Sequence, residues 1–310
     1  MKAKNKLQQA LGVLEGGFGD ITELQPAVQK YTYCMQHDMA ERPYFEFPGI
    51  MSDWFEELEN QYEGEAFQVI HEIAMITLMC KSLDKLLNAS RDDTLPPSVM
   101  EAVDQWFCFL SEQIAEGTYP LDVEGDLFKK DISICALNMW PSNTICHYEQ
   151  RALPRSFLLT NGGRQLVEGL KMIGGALRFN YKNMYELHME DRRTTPDFLE
   201  PGWRRFYLDM AERLKYEPQI SGIFAQGWFW DPFVMQQSPR ITYLRCLPEE
   251  GGALFFKLGE CNDPDHVALK NKRRLQLFEQ GKYEPTNYLM VWPRDDLLNW
   301  ASKQTAETIH

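Results

Sequence analysis

The chain of 310 residues is poor in positive charge, with 32 Lys and Arg against 45 Asp and Glu and a formal net charge of −13. A polyanion binder needs a basic face, so this balance argues against nucleic acid as a partner of the whole chain. No run approaches the roughly 18 apolar residues of a membrane helix, so no membrane span is expected. No export leader is expected either: Gln8, Gln9 and Glu15 break the apolar core that the basic start MKAKNKLQQALG would need, and no cleavage pattern follows. The seven cysteines are odd in number and form no CxxC pair, the usage of reduced thiols in a cytoplasm. HExxH, GxSxG, Walker A, GxGxxG and CxxCH are all missing, which counts against metalloproteases, serine hydrolases, P-loop enzymes, Rossmann dehydrogenases and c-type haem proteins. No cofactor is therefore assigned. No internal repeat is visible, which argues against solenoids and propellers.

What is present is a folded composition, 44% hydrophobic and 13% aromatic, long enough for one large domain or two smaller ones. Its charge is uneven. Residues 1–130 hold 10 basic and 23 acidic side chains, whereas residues 131–310 hold 22 of each, and 14 of the latter basic residues are Arg. The acidic part reads as helices. Phe67, Ile70, Ala74, Leu78, Met79, Leu83, Leu86 and Leu87 recur at spacings of three and four within Glu65–Leu87. Pro96-Pro97 opens a second helix that Gly117 and Pro120 end, and residues 27–39 and 52–58 read as two more. The expected architecture is α+β: an acidic α-helical region, 1–130, followed by a mixed α/β region, 131–310, with a central sheet. The two can also be read as one continuous domain, because no long flexible linker separates them.

In the mixed region, helices are expected at Gln165–Phe179, Gly202–Leu214, Ala268–Gln280 and Asp295–Ala301. Strands are expected at Met184–Met189, Ile220–Ala225, Ile241–Leu244, Ala253–Leu258 and Tyr288–Trp292. Strand alternation over 184–190 puts Glu186, His188 and Glu190 on one face, followed by Arg192 and Arg193. A carboxylate beside an imidazole orients a general base, so His188 and Glu190 are catalytic candidates; the plain alternative is a half-exposed strand with a solvated face. The run Gly227-Trp-Phe-Trp-Asp-Pro ends another strand and reads either as a ligand-pocket wall or as an ordinary core plug. It brings Trp228 and Trp230 forward as ligand-binding candidates and Asp231 as a third catalytic one. Arg192, Arg240, Arg273, Arg274 and Arg294 are candidate anchors for carboxylate or phosphate, since the guanidinium fork holds planar oxyanions; the alternative is ion pairing with neighbouring acids. Cys146, His147 and Glu149 are metal-capable but lack a partner cluster, and His71-Glu72 lacks a second histidine at the fourth position. No metal site is expected.

From His188 through Gly202-Trp203, the Gly-Trp-Phe-Trp-Asp-Pro run, Ser238-Pro-Arg240-Ile-Thr-Tyr-Leu, Gly252-Ala253-Leu-Phe, Arg273-Arg274, Gly281-Lys-Tyr283-Glu-Pro285 and Trp292-Pro-Arg294, the order of short motifs resembles a set of bacterial proteins of unknown function. The resemblance covers roughly residues 185–301 and implies a bacterial, cytoplasmic protein without assigning an activity. The strand–helix–strand ending also loosely resembles GNAT-type acyltransferases, although Glu249-Glu250-Gly251-Gly252-Ala253 departs from their pyrophosphate loop. Three readings follow. The first is an enzyme, a transferase before others, acting on a small anionic or acyl-bearing substrate, with acyltransferase-like chemistry as one form. The second is a protein that binds a small-molecule ligand without chemistry. The third is an interaction protein whose acidic N-terminal region steers a basic protein partner.

Overall fold

The computed structural model describes residues 2–18, 21–37, 42–46, 49–62, 64–91, 94–142, 146–160, 165, 167, 169, 183–190, 192, 199–261 and 263–307. The fold is α+β. Two compact units divide at Asn143/Thr144, later in the chain than the compositional change near residue 131.

Among the described residues the first unit holds six α-helices: α1 (Ala3–Phe18), α2 (Gln25–His37), α3 (Gly49–Gln61), α4 (Glu65–Arg91), α5 (Pro97–Ala115) and α6 (Asp126–Cys135). The short strand β1 (Met139–Pro141) follows them. The periodicity of residues 65–87 becomes α4, whose Ile70, Ala74, Leu78 and Met79 are fully buried. By length and composition α4 alone among the described helices is long and apolar enough to cross a membrane, and 67% of that stretch is buried inside the protein. α5 contributes Val103, Trp106, Phe107 and Leu110 to the same core and stops where Gly117 turns to φ 64°. Helix α1 has a sparse apolar pattern interrupted by Gly12, Gly16 and Gly17, so sequence alone does not reveal it. It is fixed from outside: Asp104 of α5 accepts the backbone N–H groups of Lys2 and Ala3, both at 3.0 Å, capping its first turn.

The second unit is built on strands β2 (Cys146–Arg151), β3 (Met184–Met189), β4 (Gly222–Gly227), β5 (Leu254–Glu260) and β6 (Thr286–Pro293), in the spatial order β2-β3-β4-β6-β5. β3 and β4 are parallel and the other pairs antiparallel. A parallel pair needs a crossover, and α7 (Glu200–Tyr216) supplies it. The side chains expected to face inward from that helix, Trp203, Phe206, Tyr207, Met210 and Leu214, are all buried. Tyr207 meets Trp292 of β6, and Trp292 meets Trp300 of α11 (Arg294–Glu307), so α7 and α11 share one face of the sheet. On the other face Leu153 and Phe157 join Met184, Phe224, Phe256, Leu289 and Val291 in a second core. Gly222, at φ 145°, lets β4 approach β6 closely: a Cβ there would stand 2.3 Å from the Trp292 carbonyl.

Two sequence expectations need correction. Residues 241–244 are not a strand; a 3-10 turn at Pro239–Ile241 leads into α9 (Tyr243–Glu250), which follows the short α8 (Pro232–Gln237). Leu244, Leu247 and Pro248, spaced as on a helix, are buried together, and that burial overrides the β propensity of Ile-Thr-Tyr-Leu. The expected helix 268–280 is broken at Asn271. This residue is extended (φ −84°, ψ 121°), and its side chain accepts from the N–H groups of Arg273 and Arg274, starting a separate helix α10 (Lys272–Glu279). The helix expected at 165–179 lies outside the described residues except Gln165, Val167 and Gly169, which are helical.

Candidate functional site: a charged ladder on strands β2 and β3

The two strands pair antiparallel with His147 opposite His188 and Glu149 opposite Glu186. Alternation sends Cys146, Tyr148, Tyr185 and Leu187 to the apolar face beneath α7 and α11. It leaves His147, Glu149, Arg151, Glu186 and His188 on the opposite face. Directly opposed partners on this face are alike, histidine against histidine and carboxylate against carboxylate. The favourable contacts are therefore diagonal, a spacing that long side chains span. His147 Nε2 lies 3.2 Å from Glu190 Oε2, and His188 Nε2 lies 3.1 Å from Glu149 Oε1. A carboxylate only accepts, so in both pairs Nε2 carries the proton and the neutral ring's lone pair falls on Nδ1.

Each carboxylate is held from behind by an arginine. Arg151 Nη2 reaches Glu149 at 2.9 Å; Arg192 reaches both oxygens of Glu190 through Nη2 at 2.8 Å and Nε at 2.9 Å, and its backbone N–H adds a bond at 2.8 Å. The result is two chains of the same kind, Arg151–Glu149–His188 and Arg192–Glu190–His147. They are shielded from solvent: the side chains of His147 and Glu190 are each 2% exposed and that of His188 11%. Burial by itself raises the Glu190 pKa. The hydrogen bonds from His147 and Arg192, with the charge of Arg192, outweigh it and hold this carboxyl well below the usual range. Glu186 is different: no hydrogen bond or ion pair joins it to any described residue, and burial raises its pKa, with His188 and Arg151 opposing the rise and Glu149 adding to it. One donor atom each from Glu149, Glu186 and His188 lie within 4.8 Å of one another, a cluster of metal-capable groups.

The other predicted site residues lie elsewhere. Asp231 caps α8, accepting from Phe233 N–H at 2.9 Å, and the cations acting on it, Lys257 and Arg245, belong to β5 and α9. Trp230 is buried with its indole N–H donated to the Leu244 carbonyl at 3.0 Å. Trp228 is half-buried under the Arg274 guanidinium, 4.7 Å from its ring centre, beside the small core of Val234, Leu269 and Tyr283. Arg274 also donates to the Ala268 carbonyl and Ser238 Oγ, and Arg294 donates to the carbonyls of Leu214 and Glu217. Both serve the fold. Arg240 and Arg273 are exposed. Of the named residues the ladder gathers His188, Glu190 and Arg192; Arg193 lies outside the described residues.

Sequence reasoning found the β3 half of this site and missed β2. The partner cluster that Cys146, His147 and Glu149 were expected to lack is β3 itself. The signal was the alternation Cys146, Tyr148 against His147, Glu149, Arg151, with only two apolar positions to carry it. Compared with known proteins, the chain matches no family model, no curated protein and no solved structure.

Proposed function

We propose that the protein is an enzyme acting on a small anionic or acyl-bearing substrate, and that the ladder on β2 and β3 is its proton-transfer centre. The observation that carries this reading is the pairing of one buried and one partly buried histidine with two carboxylates, each carboxylate locked by an arginine. A base whose ring is oriented by a fixed carboxylate is the arrangement general acid–base chemistry uses, with Nδ1 of His147 or His188 as the proton acceptor. Glu190 and Glu149 are positioning groups held in place by Arg192 and Arg151, and Arg192 keeps Glu190 ionised in a water-poor setting. In this reading the Trp228–Asp231 segment shapes the neighbouring core and does no chemistry. The parallel pairing of β3 and β4 sets the C-terminal ends of both strands at the same end of the sheet, where that segment follows β4.

The test is a substrate screen over esters, thioesters and phosphate monoesters with wild type and His188→Asn, together with ligand binding on any positive. An enzyme of this kind loses about 100-fold or more of its turnover while still binding ligand. A protein that only binds shows altered affinity and no turnover to lose, which would overturn the reading.

A further inference from the structure

We propose that Glu149, Glu186 and His188 form a binding site for one divalent transition-metal ion at the β2–β3 junction. The role of that ion in a reaction rests on the reading of the ladder as a proton-transfer centre; its binding stands on the geometry alone.

Three observations converge. The three donor atoms lie within 4.8 Å of one another. A tetrahedral ion at about 2.0–2.2 Å from each ligand sets the ligand atoms about 3.3–3.6 Å apart, so uptake draws the three side chains together by up to about 1 Å, a movement that small side-chain rotations supply. Glu186 is the one acid of the ladder that the two arginine-backed chains leave out, and no hydrogen bond or ion pair reaches it from any described residue. It is half-buried and stands directly opposite Glu149, an alignment of like charges that Arg151, paired to Glu149 at 2.9 Å, relieves from one side and that an ion between the two carboxylates would relieve fully.

The donor set defines the ion. One imidazole nitrogen and two carboxylate oxygens suit Zn²⁺, Mn²⁺ or Fe²⁺; strand alternation sends Cys146 to the opposite face, so no thiolate joins to select a softer ion. Arg151 stands behind Glu149 as the outer partner that orients a ligand. Three protein ligands are also the number that leaves a position open for water or substrate. Uptake of the ion replaces the His188–Glu149 hydrogen bond and releases its proton; with His188 so engaged, proton transfer falls to His147, whose Glu190–Arg192 chain contains none of the three ligands.

The experiment uses the full chain, stripped with a chelator and dialysed, then titrated with ZnCl₂ by calorimetry and with MnCl₂ by electron paramagnetic resonance. Wild type, Glu186→Gln and the surface control Glu57→Gln are compared. Wild type and the control take up one equivalent. Glu186→Gln keeps or slightly raises the melting temperature of the ion-free protein, because no hydrogen bond or ion pair is lost and the like charge opposite Glu149 is removed, and it weakens binding by more than the roughly 10–100-fold that losing a group behind a ligand costs. Uptake of neither ion by wild type overturns the proposal, as does wild-type affinity in Glu186→Gln. Failure of the enzyme reading looks different: metal binds and depends on Glu186, yet no turnover depends on His147.

Discussion

Each unit of this protein buries histidine, and the surroundings decide what those histidines are. His71 in α4 is fully buried among the rings of Tyr31, Phe55, Phe67 and Phe128, at centroid distances of 4.7–5.5 Å. Its Nδ1 meets the Tyr31 hydroxyl at 3.2 Å, and Nε2 has no partner among the described residues. Burial without a counter-charge lowers its pKa from 6.5 to about 3, so it remains neutral, a polar filler in an aromatic core. His147 is buried as deeply but faces a carboxylate that an arginine keeps ionised. Burial alone therefore does not mark a site. In the proposed function a buried histidine joined to a fixed charge exchanges a proton, whereas one enclosed by rings stays neutral.

The sharpest way to break this contrast is to remove each histidine in turn. His147→Asn is expected to lower turnover by about 10²–10⁴-fold, while His71→Leu leaves it within twofold of wild type, as initial rates on one substrate would show. Next in size is stability on β3. Glu190→Ala leaves Arg192 and His147 without their carboxylate and is expected to cost about 3–5 kcal/mol in denaturant unfolding. Glu186→Gln, on the same strand, stays within about 0.5 kcal/mol of wild type.

Acid separates the units further. Because the folded-state pKa of His71 lies below its unfolded value, the native state resists protonation there. The stability this contributes is complete above pH 6.5 and is lost as pH falls from 6.5 toward about 3. The full effect is on the order of 5 kcal/mol, and His71→Leu should flatten that part of a stability–pH curve measured by urea unfolding. The smallest effects fall on the arginines. Arg274→Ala loses the Trp228 contact and two hydrogen bonds, for about 1–3 kcal/mol, whereas exposed Arg273→Ala changes thermal unfolding by less than about 0.5 kcal/mol.

How much of this was legible in the sequence follows the strength of the periodic signal. Helices α4, α5 and α7 carry apolar residues at every turn, and the pattern names their buried faces almost residue by residue. Strand β3 was legible because Met184, Tyr185 and Leu187 mark its register and leave Glu186 and His188 on one side. Strand β2 was not, since Cys146 and Tyr148 are its only apolar residues and its polar face looks solvated when read alone. The diagonal pairs depend on register between strands more than 30 residues apart in sequence, and a single strand's alternation does not contain it. The aromatic run at 227–233 drew attention for the composition that also makes a good core. Its indole and carboxylate turn out to be engaged by Leu244 and Phe233.

The most direct test of the central claim, that the ladder wires two histidines to fixed charges, is ring-nitrogen NMR of the histidine side chains in wild type, Glu190→Gln and Glu149→Gln. The account predicts two strongly downfield ring N–H protons. One moves upfield only in Glu190→Gln and belongs to His147; the other moves only in Glu149→Gln and belongs to His188. Ring protons that exchange freely with water and ignore both substitutions would contradict it.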